Sequence, residues 1–199
     1  MKYIRKTTYD IRKNYAKNLL VDRGILDITD IEKGADWYFK PTKDNLCDPY
    51  LLDHINEAVD LFLKHLNNNS HIRIYVDCDV DGFTSAAVLI NYMQDFICPD
   101  YPEVKISYHI PTGKEHGLES VMDELTESGK ICDLIVLPDS SSNDYEYHKI
   151  LNEIGYDILV LDHHDAEKYS EDAIVVNNQL SKNYPNKMAS GVGIVYKFL

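Results

Sequence analysis

Three features of this 199-residue chain point to an α/β fold, a parallel β-sheet flanked by helices. Short apolar runs alternate with helical runs of about 10–15 residues, the rhythm of βαβ units. The runs are of the buried type, such as Ile72-Arg73-Ile74-Tyr75-Val76, Leu134-Ile135-Val136-Leu137 and Ile158-Leu159-Val160-Leu161. These three runs also end in acidic or imidazole side chains, and the carboxyl edge of an open parallel sheet is where sites are built.

Taken in order, residues 8–20 show moderate helical periodicity, followed by a mixed, loop-like stretch around residues 33–41. Pro49 opens an amphipathic helix in which Leu51, Leu52, Ile55, Ala58, Val59, Phe62, Leu63 and Leu66 keep the three/four spacing, and Asn67-Asn68-Asn69-Ser70 stops it. Strand 71–77 then leads to helix 83–97, strand 104–110 to helix 118–128, strand 132–138 to helix 144–154, and strand 156–162 to a loop. A short strand at 173–177 and a helix from about 190 complete the pattern. Residues 1–48 read as an N-terminal helical or irregular cap and 49–199 as the main domain. The apolar face beginning at Ser190-Gly191-Val192-Gly193 meets no stop signal before Leu199, so the chain is expected to be a piece of a longer protein.

Composition bounds the function. The hydrophobic fraction is 44% and the charged fraction 27%, values of a globular protein. No apolar stretch reaches the roughly 20 residues needed to span a bilayer. Cys47, Cys78, Cys98 and Cys132 form no Cys-x-x-Cys pair, which suits reduced thiols in a cytoplasmic protein rather than a disulfide framework or a zinc ribbon. A formal charge of −13 argues against the whole surface being a nucleic-acid footprint. Residues 1–20 differ, with six Lys/Arg against Asp10 alone. That segment reads as a solvated helix face, with a backbone-contacting arm as the other reading.

The strand ends carry the chemistry. The first run is followed by Asp77-Cys78-Asp79-Val80-Asp81-Gly82, the second by Pro138-Asp139, and the third by Asp162-His163-His164-Asp165. So many carboxylates brought together repel one another unless divalent cations neutralise them. A calcium loop would also begin Asp-x-Asp-x-Asp-Gly, but it needs a glutamate at position twelve, where Leu89 stands, and a helix rather than a strand before it. Aspartates with histidine suit Mn²⁺, with Mg²⁺ as the other choice. Strand alternation would point Cys78 away from its acidic neighbours. Ser140-Ser141-Ser142-Asn143 is expected to cap helix 144–154 in preference to contacting a phosphate, and His116-Gly117-Leu118, which could border the site, to be an ordinary helix-entry loop. Ser190 and Gly191, at a helix start, could offer N–H groups to a phosphate, with close packing of the glycines as the other reading.

The order Asp77-x-Asp79-x-Asp81-Gly82-x-Thr84-Ser85, Asp139, Asp162-His163-His164, Asn177 and Ser190-Gly191-Val192-Gly193 resembles the DHH phosphoesterase superfamily, and within it the RecJ-type single-strand-specific exonucleases. The resemblance runs over about residues 70–199. It implies a domain holding two Mn²⁺ or Mg²⁺ ions that hydrolyses phosphodiesters. Asp79 and Asp81 would then ligate one ion each, Asp139 would bridge them, and His163 would complete the shell of one. Asp77 would be a ligand or a hydrogen-bond acceptor behind one, Asp162 would orient the histidine pair, and His164 would donate to the scissile phosphate. Such enzymes carry a further aspartate and a substrate-gripping domain, both expected beyond Leu199.

Three readings follow from the resemblance. The leading one is a 5′-to-3′ exonuclease acting on single-stranded DNA, with replication or repair proteins as partners. A phosphodiesterase of short oligonucleotides or cyclic dinucleotides is the second, and a non-catalytic scaffold in a replication or repair complex is the third.

Overall fold

The computed structural model describes residues 15–27, 29, 40, 42–43, 46–114, 116–127 and 129–199. The chain divides into two compact units, Met1–Leu46 and Cys47–Leu199. In the first, the described residues form helix α1, Tyr15–Asp22; the remainder of the expected 8–20 helix and nearly all of the 33–41 stretch lie outside the described residues.

The second unit is built on five parallel strands. They are β1 (His71–Tyr75), β2 (Lys105–His109), β3 (Leu134–Pro138), β4 (Asp157–Asp162) and β5 (Ile174–Asn177). Their order across the sheet is β2-β1-β3-β4-β5, and every neighbouring pair is parallel. The helices are α2 (Ile55–Asn67), α3 (Val80–Tyr92), α4 (Met122–Glu127), α5 (Tyr145–Ile154) and α6 (Gly191–Phe198).

Alternation along the strands divides the core between the two faces. Ile72, Ile74, Leu134, Val136, Leu159, Leu161 and Val176 point to one face, where they join Phe62 and Leu66 of α2, Leu89 of α3, and Ile194 and Val195 of α6. Tyr75, Ile135, Leu137, Ile158, Val160 and Val175 point to the other, with Leu125 of α4 and Leu151 of α5. With both faces covered, the central strands β3 and β4 read as nearly unbroken apolar runs, whereas the edge strand β2 does not.

The helix expected to open at Pro49 is broken. A 3₁₀ turn, Pro49–Leu51, is capped by Asp48, whose carboxylate accepts the Tyr50 N–H at 3.0 Å. His54 then takes the left-handed conformation, φ 62°, before α2 begins. Tertiary bonds hold this break: the Asp53 N–H donates to Ser181 Oγ at 2.9 Å, and His54 Nδ1 lies 3.2 Å from Val175 O. Amphipathic spacing runs straight through such a break and does not reveal it.

Two further boundaries moved. β1 ends at Tyr75 rather than residue 77, and α3 starts at Val80 rather than residue 83. The acidic stretch is therefore a tight turn, and Asp79 is the helix cap, accepting the Gly82 N–H at 2.9 Å. Only a glycine fits at 82, because a Cβ there would stand 2.5 Å from Asp77 Cβ. The far end of the expected 83–97 helix becomes a π-helical turn, Met93–Ile97. Among the described residues no helix is long and apolar enough to cross a membrane.

Candidate metal centre

The sheet order places the site. From β1 the chain moves outward to β2 and then returns to the opposite side of β1 for β3. The loops leaving β1 and β3 consequently diverge and open a crevice at their carboxyl ends, the switch point where doubly wound sheets bind ligands. Asp77, Asp79 and Asp81 line one side of it and Asp139 the other. The Asp162-His163-His164 turn enters from β4.

Asp139 is the centre of the arrangement. It is completely buried, and neither carboxylate oxygen has a hydrogen-bond partner. Its Oδ1 lies 3.2 Å from His163 Nε2, but without hydrogen-bond geometry. Its backbone is left-handed, φ 73°, a conformation Asp and Asn tolerate better than most residues. Burial, and next the charge of Asp81, push its carboxyl up to about 8. A bare buried carboxylate costs several kcal/mol unless a cation or a proton meets it.

The surrounding groups are those a hard divalent ion requires. Oxygens of Asp77, Asp79 and Asp139 lie within 4.8 Å of one another, as do ligand atoms of Asp139, His163 and His164. His163 Nε2 is also 3.6 Å from Asp81 Oδ2. Carboxylates with one imidazole fit Mn²⁺ or Mg²⁺, so the residues present suit such ions.

Asp81 has a second engagement. Both its oxygens accept backbone N–H groups at the start of α6, from Gly191 at 2.9 Å and Val192 at 3.1 Å. A Cβ at 191 would stand 2.0 Å from Asp139 Oδ1, so the helix can approach this closely only with glycine there. The Gly191 N–H read as a phosphate donor is thus directed at a carboxylate. The Ser190 side chain makes no capping bond to α6.

Two exposed imidazoles are held by buried carboxylates. His164 Nδ1 donates to Asp162 Oδ1 at 2.8 Å, and His116 Nδ1 to Asp77 Oδ2 at 2.7 Å. The hydrogen bond to Asp162, working against burial, raises His164 to about 9. For Asp162 burial acts upward, but bonds from His164 and from the Ser142 and His163 N–H groups hold it below the usual carboxylate range. Both histidines line an open cleft of about 380 Å³, together with Asp139, Ser141, Asn143 and Asp144.

Three expectations need correction. His116 is not a bystander in a helix-entry loop, since it sits on Asp77 with the Gly117 N–H beside it, 3.3 Å from Asp77 Oδ1. Cys78 lies past the end of β1, so strand alternation does not govern it, and its sulfur faces His116 at 3.5 Å. The serines do not cap α5. Asp144 occupies the N-cap and makes no side-chain cap bond, while Ser140, Ser141 and Ser142 are buried. Ser142 bonds through its N–H to Asp162 and through Oγ to Asn177 Nδ2, at 2.8 Å. Asn177 Nδ2 also donates to His164 O, at 2.9 Å. This buried asparagine ties the ends of β4 and β5 to the loop after β3.

A parallel five-stranded sheet with carboxylates and a histidine pair at its switch point defines the class. The model of the DHH family, N-terminal domain, matches residues 71–199, and the chain belongs to that family. Among individual proteins it is 45% identical over 149 residues to the "Putative SPbeta prophage-derived single-strand DNA-specific exonuclease YorK" of Bacillus subtilis (strain 168), a match covering 74% of this chain and 24% of that protein. It is 28% identical over 185 residues to the single-stranded-DNA-specific exonuclease RecJ of the same strain, covering 90% of this chain and 22% of the relative. The chain therefore spans about a quarter of the length of these curated relatives. The fold is that of exonuclease RecJ bound to manganese (TM-score 0.61, 24% identity, 74% of this chain and 36% of that one). It is likewise that of RecJ in complex with Mn²⁺ from Thermus thermophilus (TM-score 0.58, 24% identity, 82% of this chain and 23% of that one).

Proposed function

We propose that the chain carries the metal-dependent catalytic part of a single-strand-specific DNA exonuclease that digests from 5′ to 3′. The observation that supports this most is Asp139, a buried carboxylate with both oxygens unpartnered, at the switch point and ringed by Asp77, Asp79 and His163. The relatives' names support single-stranded DNA as the substrate class; DNA repair or recombination is part of the proposal.

Asp79, Asp81, Asp139 and His163 would hold two Mn²⁺ or Mg²⁺ ions, with Asp77 as a further ligand or an acceptor behind them. When bound, such a pair supplies a deprotonated water and neutralises the phosphate charge. The rest falls to the chain. Asp162 fixes His164 through Nδ1, leaving Nε2–H of a cationic ring free to donate to a phosphoryl oxygen. The Ser142–Asn177 link holds that turn in place. A phosphate contact from Gly191 requires Asp81 to release its N–H first.

A second reading has its own support. The formal charge of −13 disfavours a long polyanion, and a cleft of about 380 Å³ is within the range of small-molecule sites. This is the phosphodiesterase of short oligonucleotides or dinucleotides. The deciding assay presents the full chain, with Mn²⁺ at fixed salt, with 5′-labelled single- and double-stranded DNA and with a dinucleotide. Release of labelled mononucleotide from single strands is the expected result. Preference for the dinucleotide would transfer the conclusion to the second reading, and no metal-dependent turnover of any substrate would leave the scaffold.

A further inference from the structure

We infer that Lys187 is a positioning residue for the metal centre, an internal cation that folds the β5–α6 loop so that Gln179 grips the backbone of His163. The loop covers residues 178–190, between the strand end that carries Asn177 and the helix start that holds Asp81. Lys187 Nζ donates to three carbonyl oxygens of one turn, those of Asn178 at 2.5 Å, Gln179 at 3.4 Å and Ser181 at 2.6 Å. An ammonium has three protons to give, so the group is fully engaged. Converging carbonyl oxygens repel one another unless a cation sits among them. The turn therefore depends on this charge.

Gln179 carries the effect to the centre. Its Nε2 has two protons and donates to Lys187 O at 2.8 Å and to His163 O at 3.2 Å. Lys187 thus holds Gln179 twice, by its ammonium on the main chain and by its carbonyl on the side chain. The next carbonyl, His164 O, is taken by Asn177 Nδ2, and Asn177 Oδ1 accepts the Gln179 N–H at 2.7 Å. Two amide side chains therefore grip consecutive carbonyls of the histidine pair. His163 brings its Nε2 within 3.2 Å of Asp139 and 3.6 Å of Asp81, a spacing that a loose backbone would not keep. The inference rests on the reading of His163 as a metal ligand.

A lysine beside such a centre is ordinarily read as a phosphate contact, and Lys187 does line a cleft of about 320 Å³ with His163 and Ser190. Its bonding argues otherwise, because a phosphate would have to draw the ammonium away from its three carbonyls. Lys187 stands behind a ligand rather than on the substrate. Removing groups so placed commonly weakens metal binding about 10–100-fold.

Two measurements on the full chain test it: Mn²⁺ affinity by electron paramagnetic resonance without nucleic acid, and hydrogen exchange of the ion-free protein. Lys187→Met and Gln179→Met should each weaken Mn²⁺ binding about tenfold or more. Both should also speed exchange at the His163 and His164 amides, which donate to Asp162, while thermal melts stay cooperative. The double variant should lose no more affinity than the worse single one, because the two residues act in series. Propylammonium, which replaces the missing part of the side chain in Lys187→Ala, should restore the affinity, and tetramethylammonium at equal ionic strength should not. Lys182, exposed on the same loop, supplies the control, and Lys182→Ala should leave both readouts unchanged. Normal Mn²⁺ affinity in Lys187→Met with weaker binding of single-stranded DNA would overturn the inference and make Lys187 a substrate contact. Additive losses in the double variant would overturn the route through Gln179. No Mn²⁺ binding by the unsubstituted chain would overturn the proposed centre itself, whereas unchanged exchange rates in Lys187→Met would overturn the grip on His163.

Discussion

Asp139 and His148 are both completely buried, and neither has a hydrogen-bond partner for its side chain. Their expected behaviour differs because only Asp139 opens onto a site. Asp139→Asn keeps the shape, tolerates the left-handed backbone and removes the charge. We expect it to raise the melting temperature of the ion-free protein, to remove most of the stabilisation by Mn²⁺, and to abolish hydrolysis by the full chain. Melts with and without Mn²⁺ measure the first two. A variant that still gained the normal Mn²⁺ shift would show that Asp139 is not the pivotal ligand. His148 lies on the buried face of α5, and burial, opposed by the charges of Asp144 and Asp172, lowers its pKa. The folded state therefore favours the neutral ring. Its contribution is complete above pH 6.5 and is lost as the pH falls from there toward the lower folded value. His148→Leu should stabilise the protein by about 1–3 kcal/mol, the cost of unpaired buried polar groups. It should also flatten the acid side of the stability–pH curve.

At the level of elements, α3 and α6 converge on one pair of carboxylates. Gly191 makes that approach possible. Gly191→Ala would put a methyl into Asp139 and push α6 away from Asp81. We expect a loss of about 1–3 kcal/mol, typical of overpacking, with weaker Mn²⁺ binding. Gly193→Ala serves as the control, since a Cβ there meets its nearest neighbour at an ordinary 3.6 Å. Equal effects of the two substitutions would mean that helix propensity, not the close approach, is decisive. The strands and the acidic turn were legible in the sequence because short apolar-rich runs, three of them ending in a ligand residue, are local signals. His116 was not, because the 111–118 loop has no periodicity and its partner Asp77 is 39 positions away. The serine run misled for a similar reason. Ser-rich segments before helices usually cap them, but here the partners are Asp162 and Asn177, delivered by two other strands.

For the molecule as a whole, the two core clusters both come from Cys47–Leu199. A chain beginning at Cys47 should therefore fold by itself, with one cooperative melt and the same Mn²⁺-dependent shift as the 199-residue chain. A broad, non-cooperative transition would show that residues 1–46 are needed to complete the core. Charge is also unevenly placed at this scale, with six Lys/Arg in residues 1–20 and a formal −18 over residues 21–199. The difference gives salt a diagnostic use. Hydrolysis of a dinucleotide should vary little with ionic strength, whereas binding of a long strand should weaken steeply as salt rises.

Asp81 has two oxygens, and α6 uses both of them. Each oxygen keeps a lone pair beside the amide it accepts, so an ion that drew on Asp81 would share the carboxylate with Gly191 and Val192, and filling the centre and fastening this helix would draw on one group. The helix that leaves the crevice would thereby act as a clasp, pinned to the same carboxylate that would grip the ion.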